Sequence, residues 1–259
     1  MPTIAILHPG AMGAAIGGAL VEVGHRVVWL PQGRSQATMR RAADAGLLAR
    51  DGVDGCDIVI AVCPPASARS TARRVAGFSG LYVDANAIAP ETAREVSEIV
   101  TAHGASYVDG AVVGPPPTTA ATTRLYLSGL RAGEVAAVFG GSLIEPRVLD
   151  GELTASSLKM SYGAWTKISA ALLLATRAAA ARLGVEEALA AEWALSQPSL
   201  SERSEHASSS AEQKGWRWEA EMREIAKTFH AAGQPAGFGE AAAELFARYP
   251  RPGEAPDDA

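Results

Sequence analysis

The chain has 259 residues, 48% hydrophobic and 20% charged, with a net charge of −5 at pH 7. That balance fits a soluble globular protein able to bury one large core or two modest ones. It argues against a nucleic-acid footprint, because no basic run exceeds Arg40-Arg41 or Arg73-Arg74.

Cys56 and Cys63 have neither metal nor redox spacing, so no metal is expected and a reducing cytoplasm is. Met1-Pro2 runs straight into an apolar stretch, so no signal peptide is expected. The longest apolar stretch, residues 164–183, carries Lys167, Arg177 and Arg182, which points to a buried helix and no membrane partner.

Thr3-Ile4-Ala5-Ile6-Leu7 reads as a buried parallel strand, followed by the turn His8-Pro9-Gly10-Ala11-Met12-Gly13 and a helix with small residues at Ala14, Gly17 and Gly18. Strand, glycine turn, helix is the order of a dinucleotide-binding fingerprint. Gly10 lets backbone approach a pyrophosphate, Gly13 lets helix and strand pack closely, and the helix amino end favours phosphate. His8 stands where the first glycine of the pattern belongs. An unrelated α/β turn is the competing reading of the glycines alone.

Gly24 ends the first helix, and Arg26-Val27-Val28-Trp29-Leu30 is the second strand. An acid at its end would bind the ribose 2′-OH of NAD; here stands Pro31-Gln32-Gly33-Arg34-Ser35. An arginine fork suits a 2′-phosphate, so Arg34 and Ser35 point to NADP, with a solvated loop charge as the plainer alternative for Arg34. Further strands are expected from Asp57 to Cys63, closed by Pro64-Pro65, from Leu81 to Ala85, followed by Asn86, and over Ser106-Tyr107-Val108-Asp109. Pro90-Glu91 opens a helix between the last two. The strand ends at Cys63, Pro64, Pro65, Asn86 and Gly110 to Pro115 should line a ligand crevice. Two more strands with a helix between them are expected at Arg124 to Gly129 and Leu143 to Val148.

From about Leu153 the pattern turns helical. Residues 158–183 read as one long, almost wholly apolar helix ending at Gly184, the spine of a second domain or a subunit interface. Residues 196–215 are ambiguous, a polar loop or a flap; Trp216-Arg217-Trp218 opens another helix, residues 240–249 form a last one, and residues 250–259 a frayed tail. The reading is thus α/β: a Rossmann doubly wound parallel sheet over residues 1–152 and an all-α substrate and dimerisation domain over 153–259.

Lys159, early in the long helix and near the domain boundary, is placed to exchange a proton near neutral pH if desolvated. A lysine snorkelling to water explains the position equally well. Tyr162 is either a second donor beside it or a buried tyrosine satisfied elsewhere. His206 reads as solvated.

Together, the Pro-Gly-Ala-Met-Gly turn, Asp109-Gly110-Ala111-Val112-Val113-Gly114 and Ser-Ser-Leu-Lys-Met occur in the order of a known family. The chain resembles the β-hydroxyacid dehydrogenase superfamily, which includes 3-hydroxyisobutyrate and 6-phosphogluconate dehydrogenase-like proteins. The resemblance implies a nicotinamide cofactor on Gly10 to Gly13, Arg34 and Ser35, a catalytic lysine at Lys159, and dimerisation through the helical domain. It implies substrate binding at Asp109, Gly110, Val112, Val113 and Gly114, with Trp216 added from the Trp-rich tract. The family's substrate loop loses its serine here, Pro115 removes a backbone donor, and Gly163 replaces an asparagine one turn after the lysine. These departures leave room for a more apolar substrate near Trp165, Trp216 or Trp218, although core packing is the simpler role for those rings. The expected activity is NADPH-dependent hydride exchange with a small hydroxy or carbonyl compound. Imine reduction and a non-catalytic NADP-binding protein are the alternatives.

Overall fold

The computed structural model describes residues 1–250 and divides into two compact units, Met1–Lys159 and Met160–Ala259. The first is built on an eight-stranded sheet: β1 (Thr3–Ile6), β2 (Arg26–Trp29), β3 (Leu48–Ala49), β4 (Ile58–Ala61), β5 (Leu81–Asp84), β6 (Ser106–Val113), β7 (Thr123–Ser128) and β8 (Ile144–Val148). The order across it is β3-β2-β1-β4-β5-β6-β7-β8. Every neighbouring pair is parallel except β6 with β7. The helices of this unit are α1 (Ala11–Glu22), α2 (Gln36–Asp44), α3 (Ala68–Arg73), α4 (Pro90–Thr101), α5 (Ala132–Val138) and the start of α6 (Thr154–Gly163).

β1 shows why the sequence after Thr3 is apolar. Ile4 and Ile6 join one core with Ile16 and Leu20 of α1, while Ala5 and Leu7 join a second core with Val96 and Val100 of α4. A strand covered on both faces has no solvent side to carry polar residues. The sheet's borders differ from its middle. β3 has only two residues, both exposed, and β8 carries Pro146 between the paired Glu145 and Arg147.

The second unit is helical: a π-helical segment (Ala164–Ile168), α7 (Ser169–Arg182), α8 (Glu186–Ser196), α9 (Leu200–Lys214), α10 (Trp218–Ala231) and α11 (Gly237–Phe246). Its core holds Met222 and Ile225 of α10 with Phe246, on which Trp218 packs edge-on at 4.9 Å.

Four expectations change. The segment from Gly110 to Val113 is the second half of β6, because pairing with β7 satisfies its backbone up to Val113. The ambiguous residues 196–215 are mostly α9, with buried Ser204, Ala207 and Ala211 spaced to one face, and only the short turn over residues 197–199 lies outside helix. The long helix contains the π turn over Ala164–Ile168, which carries no signature in its residue types. Helix α2 and strand β3 add a unit for which the sequence offered too few apolar positions. The expected tail lies, beyond Pro250, outside the described residues.

Close approach is tightest at Gly13, where an added Cβ would lie 2.1 Å from the His8 carbonyl oxygen. Neither partner yields easily, since both are backbone. Gly13→Ala should therefore lower unfolding stability by at least about 2 kcal/mol in denaturant melts, and an unchanged midpoint would show that α1 has slack.

Candidate functional site

In the first unit the chain leaves β1 toward β2 on one side and, later, enters β4 on the other. That reversal opens a crevice at the carboxyl ends of β1 and β4, where ligands of such sheets bind. Its floor is the turn from His8 to Gly13. Pro9 and Gly13 are buried, Ala11 is exposed, and Met12 is partly buried on the first core. Gly10 is the N-cap of α1 in an extended conformation with no side chain capping the helix. A Cβ there would meet nothing within 4 Å, so space stands open over the amino end of α1. Backbone donors and helix dipole at such an end suit a phosphate.

Arg34 does not project into solvent. Its Nη1 lies 2.5 Å from His8 Nε2, and its Nη2 donates to the Leu7 carbonyl at 3.0 Å and lies 3.1 Å from His8 Nδ1. The guanidinium thus rests on the tip of β1, and its Nε is buried without a partner among the described residues. Burial, then the charges of Arg34 and of Arg74 after α3, lower the His8 pKa to about 4, so the imidazole is neutral at pH 7. Ser35 is exposed and caps α2, accepting from the Thr38 amide at 3.3 Å.

Across the crevice, Cys63 is half-buried at the end of β4, and burial pushes its thiol up to about 11, so it stays protonated. Pro65 opens a short 3-10 turn preceded by Pro64. The Cys63 amide donates to Asn86 Oδ1 at 2.6 Å, which ties this turn to the end of β5. Asn86 is buried, and its Nδ2 has no partner among the described residues. The Asn86 amide donates in turn to Asp84 at 3.1 Å, and Tyr107 OH reaches the same carboxyl at 3.4 Å. Asp84 is 1% exposed, and burial raises its pKa to about 7.

Two unspent buried donors, Arg34 Nε and Asn86 Nδ2, and the empty space over Gly10 fit a polar, phosphate-bearing ligand lying along the crevice. Of the expected cofactor residues, His8 meets Arg34 on the β1 side and Cys63 meets Asn86 on the β4–β5 side, while Met12 packs on the first core.

The β6 residues behave differently. Asp109 is buried, and it accepts from Ser128 Oγ at 2.9 Å and from the Ser156 amide and hydroxyl at 2.8 and 2.5 Å. Ser156 is in the first turn of α6, whose amides lack intrahelical partners, so this carboxylate caps the helix from a neighbouring strand. Asp109 therefore positions α6, a correction to its reading as a substrate ligand. Gly110, Val112 and Val113 are also buried within β6; Gly114 alone of this set is exposed, at the start of the β6–β7 connection. The sequence carried one hint, a lone acid amid an apolar strand, which in a buried place must find donors.

Lys159, three residues beyond Ser156 on α6, is half-buried and donates from Nζ to the Val112 carbonyl at 2.9 Å. The ammonium is thus held against the far end of β6. In the second unit, Tyr162 is exposed, and Trp216 is partly buried with the Arg217 guanidinium 5.9 Å from its ring. Trp165 is 69% exposed, so it is no core residue. At Gly163 an added Cβ would come 3.3 Å from Glu221 Oε1, a carboxylate paired at 2.8 Å with Lys167 in a largely buried ion pair that sequence patterns did not reveal. His206 lies on exposed α9 surface. Among the described residues no group of His, Cys, Asp and Glu is arranged to hold a metal, and no helix is long and apolar enough to cross a membrane.

Comparison with known proteins matches residues 180–249 to a domain family of unknown function, DUF1932. A 3-hydroxyisobutyrate dehydrogenase of Pseudomonas aeruginosa is 30% identical over 151 residues, 54% of this chain, and the chain spans only 47% of that enzyme's length. A conserved protein of unknown function, whose structure is similar to 3-hydroxyacid dehydrogenases, is 28% identical with a TM-score of 0.70, covering 94% of this chain and 95% of its own. Two more distant structures share the fold. A Mycobacterium tuberculosis 3-hydroxyisobutyrate dehydrogenase with L-serine has a TM-score of 0.71 at 21% identity, covering 95% of this chain and 93% of that one. A Myxococcus stipitatus imine reductase with NADP+ has a TM-score of 0.56 at 19% identity, with the same coverage of 95% and 93%.

Asp84 yields a measurable pH effect. Its folded pKa of about 7 exceeds that of an unfolded aspartate, so the folded state holds a proton between about pH 4 and pH 7 that the unfolded chain has lost. Stability contributed by that proton is present below the unfolded pKa and is lost as pH rises through 7. Asp84→Asn, which cannot titrate, should lose less stability than the wild type between about pH 5 and pH 8, by roughly 2 kcal/mol in urea melts. Parallel profiles would show that Asp84 does not carry the proton.

Proposed function

We propose that this chain, which fits the β-hydroxyacid dehydrogenase superfamily in fold and sequence, is an NADP-dependent oxidoreductase acting on a small hydroxy or carbonyl compound. The observation that carries the reading is Lys159, tethered by its ammonium to β6 within the unit that bears the open glycine turn. A bound nicotinamide supplies or accepts the hydride. The amino end of α1 with Gly10 to Gly13 would hold the pyrophosphate, Arg34 and Ser35 the 2′-phosphate, and the Cys63-Pro64-Pro65 turn and Asn86 the remainder.

Lys159 handles the proton. In reduction its ammonium gives a proton to the substrate oxygen as the carbon gains hydride, and in oxidation the amine takes that proton back from the hydroxyl. The Val112 carbonyl aims Nζ, and the Asp109 cap fixes the helix from which Lys159 extends. Gly114 is the proposed substrate contact within the first unit, and the glycine in place of an asparagine at Gly163 favours a substrate not anchored there through a carboxylate. Imine reduction is the alternative within enzymes, on the shared fold with imine reductases, and retention of Lys159 favours carbonyl chemistry over it. A non-catalytic NADP-binding protein is the alternative outside them. Lys159→Ala should lower turnover of an accepted aldehyde or hydroxyacid at least about 100-fold while NADPH binding holds within about twofold. Full turnover by that variant would remove the lysine from the chemistry, and NADPH binding without consumption across aldehydes, hydroxyacids and imines would favour the binder.

The protein also reads as a cytoplasmic homodimer acting on small molecules, both cysteines being free thiols. Helix α8 buries no residue within its chain, and Leu172, Leu183 and Leu195 nearby in sequence are 67%, 75% and 83% exposed. Eleven residues of helix gain little stability in water unless they pack against something. Sedimentation should give twice the monomer mass, and Leu195→Glu with Leu172→Glu should halve it; a monomeric wild type would refute the dimer.

A further inference from the structure

We propose that His8 is a specificity-determining residue, whose imidazole holds the Arg34 guanidinium over the tip of β1 and so presents that cation to the 2′-phosphate of NADPH. The inference rests on the NADP reading above and adds to it the residue that aims the arginine.

An arginine on a surface turn samples many rotamers, and ordering it on a ligand costs free energy that weakens binding. Here the ordering is done before any ligand arrives. Arg34 reaches from the turn after β2 to three acceptors or ring atoms just beyond β1: Leu7 O at 3.0 Å, His8 Nε2 at 2.5 Å and His8 Nδ1 at 3.1 Å. A neutral imidazole has one accepting nitrogen, and the shorter distance assigns it to Nε2. The Leu7 carbonyl alone would leave the fork free to swing about a single contact.

The held arginine is not saturated. Its Nε is buried with no partner among the described residues, and a guanidinium has five N–H donors. Donors therefore remain for an anion while the group is fixed in place.

The environment keeps His8 in its accepting form. Burial, Arg34 and Arg74 all oppose a positive imidazole, and the group beside Arg34 on the β4 side, Cys63, is a protonated thiol that offers no counter-charge at neutral pH. The backbone of His8 is already committed, its carbonyl accepting the Gly10 amide at 2.8 Å and lying against Gly13. Only a side chain at this position can reach Arg34. The glycine of the usual fingerprint has none, so the departure from the pattern is itself the device.

The test is equilibrium binding of NADPH, NADH and 2′,5′-ADP, the last carrying the phosphate without a nicotinamide. Binding would be measured by calorimetry on wild type, His8→Gly, His8→Gln, Arg34→Ala and the His8→Gly/Arg34→Ala double variant. His8→Gly should weaken NADPH and 2′,5′-ADP about tenfold and NADH less than about twofold, one lost charge-assisted contact's worth. His8→Gln, which restores an acceptor, should recover most of that loss, and the double variant should be no worse than Arg34→Ala. Equal losses for NADPH and NADH in His8→Gly, unrescued by glutamine, would mean the histidine only shapes the turn. If Arg34→Ala abolishes the preference for NADPH and His8→Gly leaves it intact, the role of His8 falls alone. If Arg34→Ala leaves the preference unchanged, the NADP reading and this inference fall together.

Discussion

The first unit depends on one buried carboxylate. Asp109 sits inside β6, where an ionised acid without partners would cost several kcal/mol. It is spared that cost by donors from two directions, the Ser128 hydroxyl on the antiparallel neighbour β7 and the amide and hydroxyl of Ser156 on α6. One group therefore joins two strands and a helix start. Three residues further along, Lys159 returns to the same strand through the Val112 carbonyl. The opening half of α6 is thus tied to β6 at two points, Ser156 and Lys159. The entry to this helix is itself unusual: Leu153, the residue before it, adopts a left-handed backbone with φ of 56°. A leucine pays roughly 1 kcal/mol for that conformation, and the Asp109 contacts offset it.

A second polar relay runs from sheet to crevice. Asp84 holds the Asn86 amide, and Asn86 holds the Cys63 amide, so side chains extend the joining of the β4 and β5 ends beyond the sheet pairing that stops near Ala61 and Asp84. With Arg34 folded onto His8 on the opposite flank, the crevice has rigid walls before anything enters it. Preformed walls let binding free energy appear as affinity instead of being absorbed in ordering.

Much of this was legible in the residues. The buried strands announced themselves because both faces are covered, so β1, β4 and β5 are nearly pure apolar runs; the glycine turn, Pro90 and Gly184 mark element ends by backbone chemistry. The limits were equally physical. β6 runs on past Asp109 because β7 pairs with it in antiparallel fashion, a partner that no local pattern names. α9 is polar on most of its surface, and only the spacing of Ser204, Ala207 and Ala211 betrays a buried stripe of small residues. Asp109 looked like a ligand because an acid in a motif invites that reading, and its partners at Ser128 and Ser156 are 19 and 47 residues away in the chain. His8 was visible as an exception to the fingerprint, but the arginine it touches was visible only as a separate cofactor residue.

The two borders of the sheet carry a consequence for how the protein behaves when crowded. An outer strand with unpaired amides is an invitation to another chain, and long flat ones seed aggregates. Here one border is only Leu48 and Ala49, too short to template a neighbour. The other has Pro146, which lacks an amide hydrogen, flanked by the charged pair Glu145 and Arg147. A mostly parallel sheet is slow to assemble, and these blunt margins protect it from intermolecular pairing while it does.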